Sequence, residues 1–478
     1  MTDPTFLLSG RPGAVRGVGA TRSFTDPAAA VAALRDGAVG IVGALPFNLA
    51  DPAALWEPAQ LDVDTDPACF LAAQTPTPRT ATVLARHPEP AEHARRVAEV
   101  VARIRDGEAS KVVLARTLEF GVEEPVNPLV LASAFAGGNA AHNAFAVALD
   151  AAGDRFAGQW IVGASPELLV RRRGRGVFCR PFAGTVARSS DPDTDRRRAE
   201  SLRDSAKDLA EHAFVVDFLR ERLAPFCSAV EAPDEPELLS TGELWHLATP
   251  VSGVLLDPTT TVLDLALALT PTPALGGTPS DAAAELIGRY EGDRGFYGGA
   301  VGWCNADGDG DWVVTIRCVG LSADGCRVRA WAGGGIVADS DPAAEWQETQ
   351  SKARAALRAA EIATRLGREL VYRTASDINS MWFGESERNV ARMFEECDPA
   401  GEVLFLDEAD TLLAARDGAG HRADMAVTAE FLRQVEAFQG VFVGATNFGR
   451  SIDGALLRRF EFRLELQALT AVQRLDLF

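Results

Sequence analysis

Lysine is nearly absent. The 478-residue chain carries 47 basic residues, of which only Lys111, Lys207 and Lys352 are lysines and 44 are arginines. Basic residues of either kind are outnumbered by 67 acidic ones, giving a net charge of −20. That balance argues against nucleic acid or an anionic membrane as partner, since both need clustered positive charge. It still permits a small anionic substrate held in a local basic pocket. Paired cysteine motifs are missing too. Cys69, Cys179, Cys227, Cys304, Cys318, Cys326 and Cys397 are scattered, odd in number and without a CxxC pair, which predicts reduced thiols rather than a disulfide framework or zinc knuckle. No apolar run approaches the ~20 residues that span a bilayer, and MTDPTFLLSGRPG has no basic region of a signal peptide. The expectation is a soluble, cytoplasmic protein.

What is present is a well-filled core, with 47% of residues hydrophobic. Val97, Val100, Val101 and Ile104 recur at helical spacing, and KVVLARTLEF then reads as a strand. Residues 196–226 read as one long helix, and strands are expected in GGAVGWC, DWVVTIRCVGL and GCRVRAWAGGGIV. Strands and helices without regular βαβ alternation predict an α+β architecture dominated by antiparallel sheet. After about residue 366 the texture changes. LVYRTASD, EVLFLDEAD and GVFVGATN are apolar runs ending in polar residues, the pattern of a parallel α/β sheet. Two modules are expected, 1–357 and 358–478.

Arginine stays protonated in proteins, whereas a lysine can act as a base once its surroundings lower its pKa. A lysine kept in an arginine-rich chain is therefore a candidate for proton transfer. Lysines surviving by chance belong on exposed helix faces; Lys111 instead opens the apolar strand in GEASKVVLAR. Four carboxylates stand out by context. Glu167, in GASPELLV, is either a turn residue or a poised acid. Glu211 lies four residues after Lys207, the spacing of a helical ion pair. Glu345 and Glu348 share a helix face with Lys352 one turn beyond. Neighbouring carboxylates are exposed or share a hard cation, and Mg²⁺ binds through one or two carboxylates, water and an anionic substrate. Arg317 interrupts the apolar run WVVTIRCVG, either snorkelling to an edge or meeting an anion. The three glycines of AGGGIV form a turn or present backbone N–H groups to an anion.

The segments GEASKVVLAR, GASPELLV, RPFAGTVAR, SAKDLAEHAF, ELWHLATPVSG, LTPTPALGG, YGGAVGW, VVTIRCV, AWAGGGIV and EWQETQSKA occur in the order found in chorismate-utilising enzymes. The resemblance covers roughly residues 30–357 and is closest to isochorismate synthases of catecholate-siderophore pathways. It implies one large α+β domain of two packed antiparallel sheets with outer helices, acting on chorismate with Mg²⁺. Lys111 matches the base that activates water for attack at C2, and Glu167 the acid that protonates the departing C4 hydroxyl. Glu211 and Glu348 match Mg²⁺ ligands, with Glu345 assisting through water. Arg317, Lys352, Gly333 and Gly335 match positions gripping substrate carboxylates, with Gly184 and Thr185 in the loop beside them. His246 and Ala274 match residues lining the ring. Aminodeoxychorismate synthases carry a nucleophilic lysine where PFAGT has Ala183. Anthranilate synthases generally lack the lysine matching Lys111, while salicylate synthases retain it and go on to eliminate pyruvate, so they remain an alternative.

Residues 369–478 resemble part of an AAA+ ATPase domain. LFLDEAD resembles Walker B, with Asp407 towards Mg²⁺ and Glu408 polarising water; GATN places Asn447 as sensor 1; ALLRRF offers Arg458 or Arg459 as an arginine finger. A P-loop, GxxxxGK[ST], is lacking, because the residues preceding the three lysines are Ser110, Ala206 and Ser351. This segment is expected to hydrolyse no ATP by itself. A contrasting reading of the chain is an adaptor or remodelling subunit donating its arginine to an AAA+ partner.

Overall fold

The computed structural model describes residues 4–10, 13–64, 66, 81–137, 141–187, 192–241, 244–343, 345–346, 369–374, 385–395, 397, 402–407, 430–431, 433–435, 437–438 and 441–444. The chain divides into two compact units, Met1–Arg188 with Arg196–Gly367, and Ser189–Asp195 with Arg368–Phe478.

The first unit is built on two large antiparallel sheets. One has ten strands, in the order Gly277–Thr278, Lys111–Val122, Arg327–Ile336, Cys318–Leu321, Trp160–Gly163, Ala144–Ala148, Pro4–Gly10, Gly13–Val18 and Gln60–Asp64, with Ala81–His87 also paired to Lys111–Val122. The other has nine, in the order Cys227–Glu231, Val251–Leu255, Gly176–Arg180, Leu168–Arg173, Gly310–Val314, Ala300–Asn305, Gly40–Leu45, Ala54–Glu57 and Arg22–Phe24. Phe6, Phe145 and Ile161 of the first pack with Val42, Trp56 and Val301 of the second in one buried cluster. Burying such side chains stabilises by about 1.5–3 kcal/mol each relative to exposure. A small third sheet joins Phe182–Ala187, Leu244–Ala248 and Glu237–Thr241.

Helices cover the outer faces. Pro90–Arg105 follows the predicted apolar spacing and packs Val97, Val100, Val101 and Ile104 against Val112 and Leu114, together with Leu286 and Ile287 of helix Ser280–Tyr290. Side chains alternate along a strand. Val112 and Leu114 thus face these helices, while Ala115 joins the core between the sheets. Lys111 shares the parity of Ala115 and lies on that inner side. Helix Val262–Leu269 starts from a capping box, Asp264 N–H donating to Thr261 and Thr261 N–H to Asp264.

Three sequence readings are corrected here. The long helix over 196–226 is two helices, Pro192–Arg203 and Ala206–Leu223, because Ser205 takes an extended backbone and its hydroxyl caps the second by accepting from Asp208 N–H. The run DWVVTIRCVGL is two strands, Gly310–Val314 and Cys318–Leu321, lying in different sheets with Arg317 between them. The strand expected in GCRVRAWAGGGIV is Arg327–Ile336, and the alternative of a turn at its glycines is what is corrected: Gly333, Gly334 and Gly335 continue the strand in register with Ala115, Leu114 and Val113.

The second unit contains parallel strands Glu369–Thr374, Glu402–Asp407 and Val441–Gly444, as the apolar runs predict. Phe394, Phe431, Phe438 and Phe442 form an aromatic cluster with ring centroids 5.4–5.7 Å apart. Among the described residues no helix is long and apolar enough to cross a membrane.

Candidate functional site

The site forms where the chain changes sheet. After strand Trp160–Gly163 the segment Ala164–Glu167 leaves the ten-stranded sheet and enters the nine-stranded one at Leu168. Thr315–Arg317 makes the reverse passage from Val314 to Cys318. The two passages are stitched together: Ala164 N–H donates to Arg317 O at 3.0 Å, and Val314 N–H donates to Glu167 O at 3.0 Å. Thr315 is tied on its other side, donating to Gly299 O and accepting from Gly298 N–H, both at 2.9 Å. Arg317 takes a left-handed backbone, φ 49°, which a non-glycine residue adopts at a cost of about 1–3 kcal/mol. These bonds hold it there.

Glu167 is 6% exposed, and its N–H donates to the Ser165 hydroxyl. Burial pushes its carboxyl up from 4.5 to about 7, while the charges of Arg317 and Lys111 pull the other way. Desolvation wins, so the group keeps its proton much closer to neutral pH than an exposed glutamate does. Lys111 opens its strand beside Thr278, and Val113 N–H donates to Gly276 O at 2.9 Å. Its side chain lies over Gly335: a Cβ placed there would stand 2.9 Å from Lys111 Cε and 3.6 Å from Nζ. The glycine run thus clears space for the lysine as well as continuing the strand.

His246 lies on strand Leu244–Ala248, 7% exposed, with its ring 5.5 Å from that of Phe182. Burial, reinforced by the charge of Arg317, lowers it to about 4, so its imidazole is neutral. Gly184, at φ 76°, interrupts the register between Phe182–Ala187 and the His246 strand. A Cβ there would meet Asp208 and Leu247 at 3.1 and 3.2 Å, so helix Ala206–Leu223 packs closely on this strand. That helix carries Glu211, and the backbone of Thr185 pairs with His246. Ala274 sits in the Thr272–Gly276 turn, where Leu275 and Gly276 both donate to Thr272 O at 3.0 Å.

Of the three candidate metal carboxylates, Glu345 is half-buried and accepts at 2.7 Å from the Ser340 hydroxyl, which itself accepts from Val337 N–H. This ties Glu345 to the end of the strand bearing Gly333 and Gly335. Glu348 and Lys352 lie outside the described residues, as do Glu408, Asn447, Arg458 and Arg459. Asp407 ends strand Glu402–Asp407. Among the described residues no three His, Cys, Asp or Glu side chains gather into a metal cluster. The proposed donor set is all carboxylate, the hard-oxygen chemistry that suits Mg²⁺ rather than a thiophilic ion.

The sequence reading missed Glu291 and Arg294, which form a buried pair bonded to the backbone of Val113 and Ala115 on the Lys111 strand. Their three-residue spacing in YEGDRGF was a signal, one that an exposed helical pair would give equally.

A stability measurement checks the state of Glu167. A carboxyl whose folded pKa is raised holds its proton after the unfolded chain has lost it. Its contribution is therefore full below about 4.5 and lost as pH rises to about 7. Glu167→Gln, which stays neutral, should gain up to about 3 kcal/mol on wild type between pH 4.5 and pH 8 in denaturant titrations. A pH-independent difference would contradict the assignment.

Comparison with known proteins agrees with this architecture. Residues 57–361 match the family model described as chorismate binding enzyme, and residues 356–468 match that of the AAA ATPase family associated with various cellular activities. A MenF relative from Mycobacterium tuberculosis is 44% identical over 353 residues, covering 73% of this chain and 94% of its own. The isochorismate synthase DhbC of Bacillus subtilis is 46% identical over 273 residues, covering 57% and 68%. The solved structure of MenF, the menaquinone-specific isochorismate synthase of Escherichia coli, superposes with a TM-score of 0.65 at 26% identity, covering 75% of this chain and 89% of that one. Two packed sheets, the linked passages between them and these matches together place the chain in the family of chorismate-binding enzymes.

Proposed function

We propose that residues 1–357 form a Mg²⁺-dependent isochorismate synthase that adds water at C2 of chorismate with loss of the C4 hydroxyl, for siderophore or menaquinone synthesis. The observation that carries this is the buried Glu167 carboxyl, raised to about 7 and within the field of Lys111 and Arg317. Acid–base exchange on a ring needs a proton acceptor and a proton donor poised near the working pH. Lys111 Nζ acts here in its unprotonated form, taking a proton from a water as the water's oxygen bonds to C2. The ring double bonds shift, the C4–O bond breaks, and Glu167 gives its proton to the departing hydroxyl, which leaves as water. One water enters and one departs, so the product is an isomer.

The surrounding groups hold the substrate. Beyond Ala330, strand Arg327–Ile336 has the Lys111 strand as its pairing partner among the described strands, so Gly333 and Gly335 run past the end of strand Cys318–Leu321. In this reading their backbone, with Arg317 and Lys352, grips carboxylates, while neutral His246 and Ala274 line the ring beside Gly184 and Thr185. Glu211, Glu345 and Glu348 would hold Mg²⁺, which when bound neutralises and orients the ring carboxylate. In this reading the chemistry draws on no residue of 358–478, and an AAA+ partner is the reading that Arg459 would serve.

Incubating the chain with chorismate and Mg²⁺ should accumulate isochorismate by NMR, and Lys111→Ala should lose at least ~10²-fold in kcat, the scale of general-base catalysis. Accumulation of salicylate and pyruvate instead would assign the chain to salicylate synthesis. Gly335→Ala tests the seat of the lysine separately. The added methyl meets only the far end of a long side chain, so the melting temperature should hold while kcat falls about tenfold or more. Unchanged kcat would contradict that geometry.

A further inference from the structure

Glu291 and Arg294 have no part in the site as described, yet they join its two sides. Glu291 caps helix Ser280–Tyr290, donating its N–H to Ile287 O, and Arg294 follows three residues later. Their side chains are 7% and 3% exposed. The guanidinium clasps the carboxylate in a fork, Nε to Oε2 at 2.7 Å and Nη2 to Oε1 at 2.5 Å. Each partner then reaches beyond the pair. Glu291 Oε1 accepts from Ala115 N–H at 2.6 Å, and Arg294 Nη2 donates to Val113 O at 2.7 Å, both on the Lys111 strand. Arg294 Nη1 donates at 2.8 Å to Leu275 O, next to Ala274. The guanidinium also lies over the Phe47 ring, 4.5 Å from its centre.

We propose that Glu291 and Arg294 are positioning residues that hold the Lys111 strand at a fixed distance from the Thr272–Gly276 turn, and so set where the base stands relative to the ring. This rests on the function proposed above. A plain core pair would explain the burial alone, but a buried ion pair is a poor source of stability, often matched or bettered by apolar residues of similar volume. A rigid planar fork that bonds one carboxylate and two carbonyls at once is well suited to fixing distances. Lysine keeps the charge and cannot bridge all three acceptors.

The test compares Arg294→Lys and Glu291→Gln with wild type in the full chain, using chorismate and Mg²⁺, with Lys111→Ala as the reference. Glu291→Gln keeps an oxygen for Ala115 N–H and serves if Arg294→Lys fails to fold. The variant that melts cooperatively should lose at least about tenfold in kcat with chorismate KM within about threefold. Added to Lys111→Ala, the same substitution should cost less than about twofold more, because a misplaced base costs nothing once the base is gone. An unchanged kcat in folded variants, or losses that multiply with that of Lys111→Ala, would overturn the proposal. Wild-type turnover in the same assay separates the two failures. Its absence overturns the functional reading and this inference with it; turnover with unaffected variants overturns the inference alone.

Discussion

A carboxyl group removed from water between two sheets is the constraint on which the site depends. Left in solvent, Glu167 would ionise well below neutral pH; Arg317 and Lys111 nearby would favour that further. Burial outweighs both cations and brings the group to about 7. The crossing at Ala164–Glu167 is bonded to the companion crossing at Thr315–Arg317 through shared backbone hydrogen bonds. The left-handed backbone of Arg317 belongs to the same arrangement. The geometry that carries the chain between sheets also brings an acid and a cation together.

The Lys111 strand is the second organising element. Its outer face is committed to the helices through Val112 and Leu114, and its inner side to the core through Ala115. Gly335 opens the space the lysine occupies, and Glu291 with Arg294 bonds the strand's backbone at Ala115 and Val113. Few substitutions are compatible with all these demands. Lys111 opens this strand and is one of three lysines in the chain.

Much of this was legible in the sequence, for identifiable reasons. Scarcity singled out Lys111. Helical spacing revealed Pro90–Arg105, and apolar runs ending in polar residues revealed the parallel strands of the second unit. Other features escaped because they are properties of packing. Both strands flanking Arg317 are apolar, so a change of sheet leaves the hydrophobic pattern unbroken. The run Gly333–Gly335 lacks side chains to alternate, so the sequence leaves both strand and turn open there, and its pairing with Val113–Ala115 decides for the strand. Ser205 could have been read as a cap, but the apolar face continues across it. Glu291 and Arg294 have the spacing of an exposed pair, and nothing local distinguishes a buried one.

The most direct test is an infrared titration of the Glu167 carboxyl, taken as the difference spectrum between wild type and Glu167→Gln across pH. A protonated-carboxyl band that disappears with a midpoint near 7 is the predicted result. A midpoint close to the ordinary glutamate value of 4.5 would show a solvated, ionised group and contradict the assignment of Glu167 as the acid.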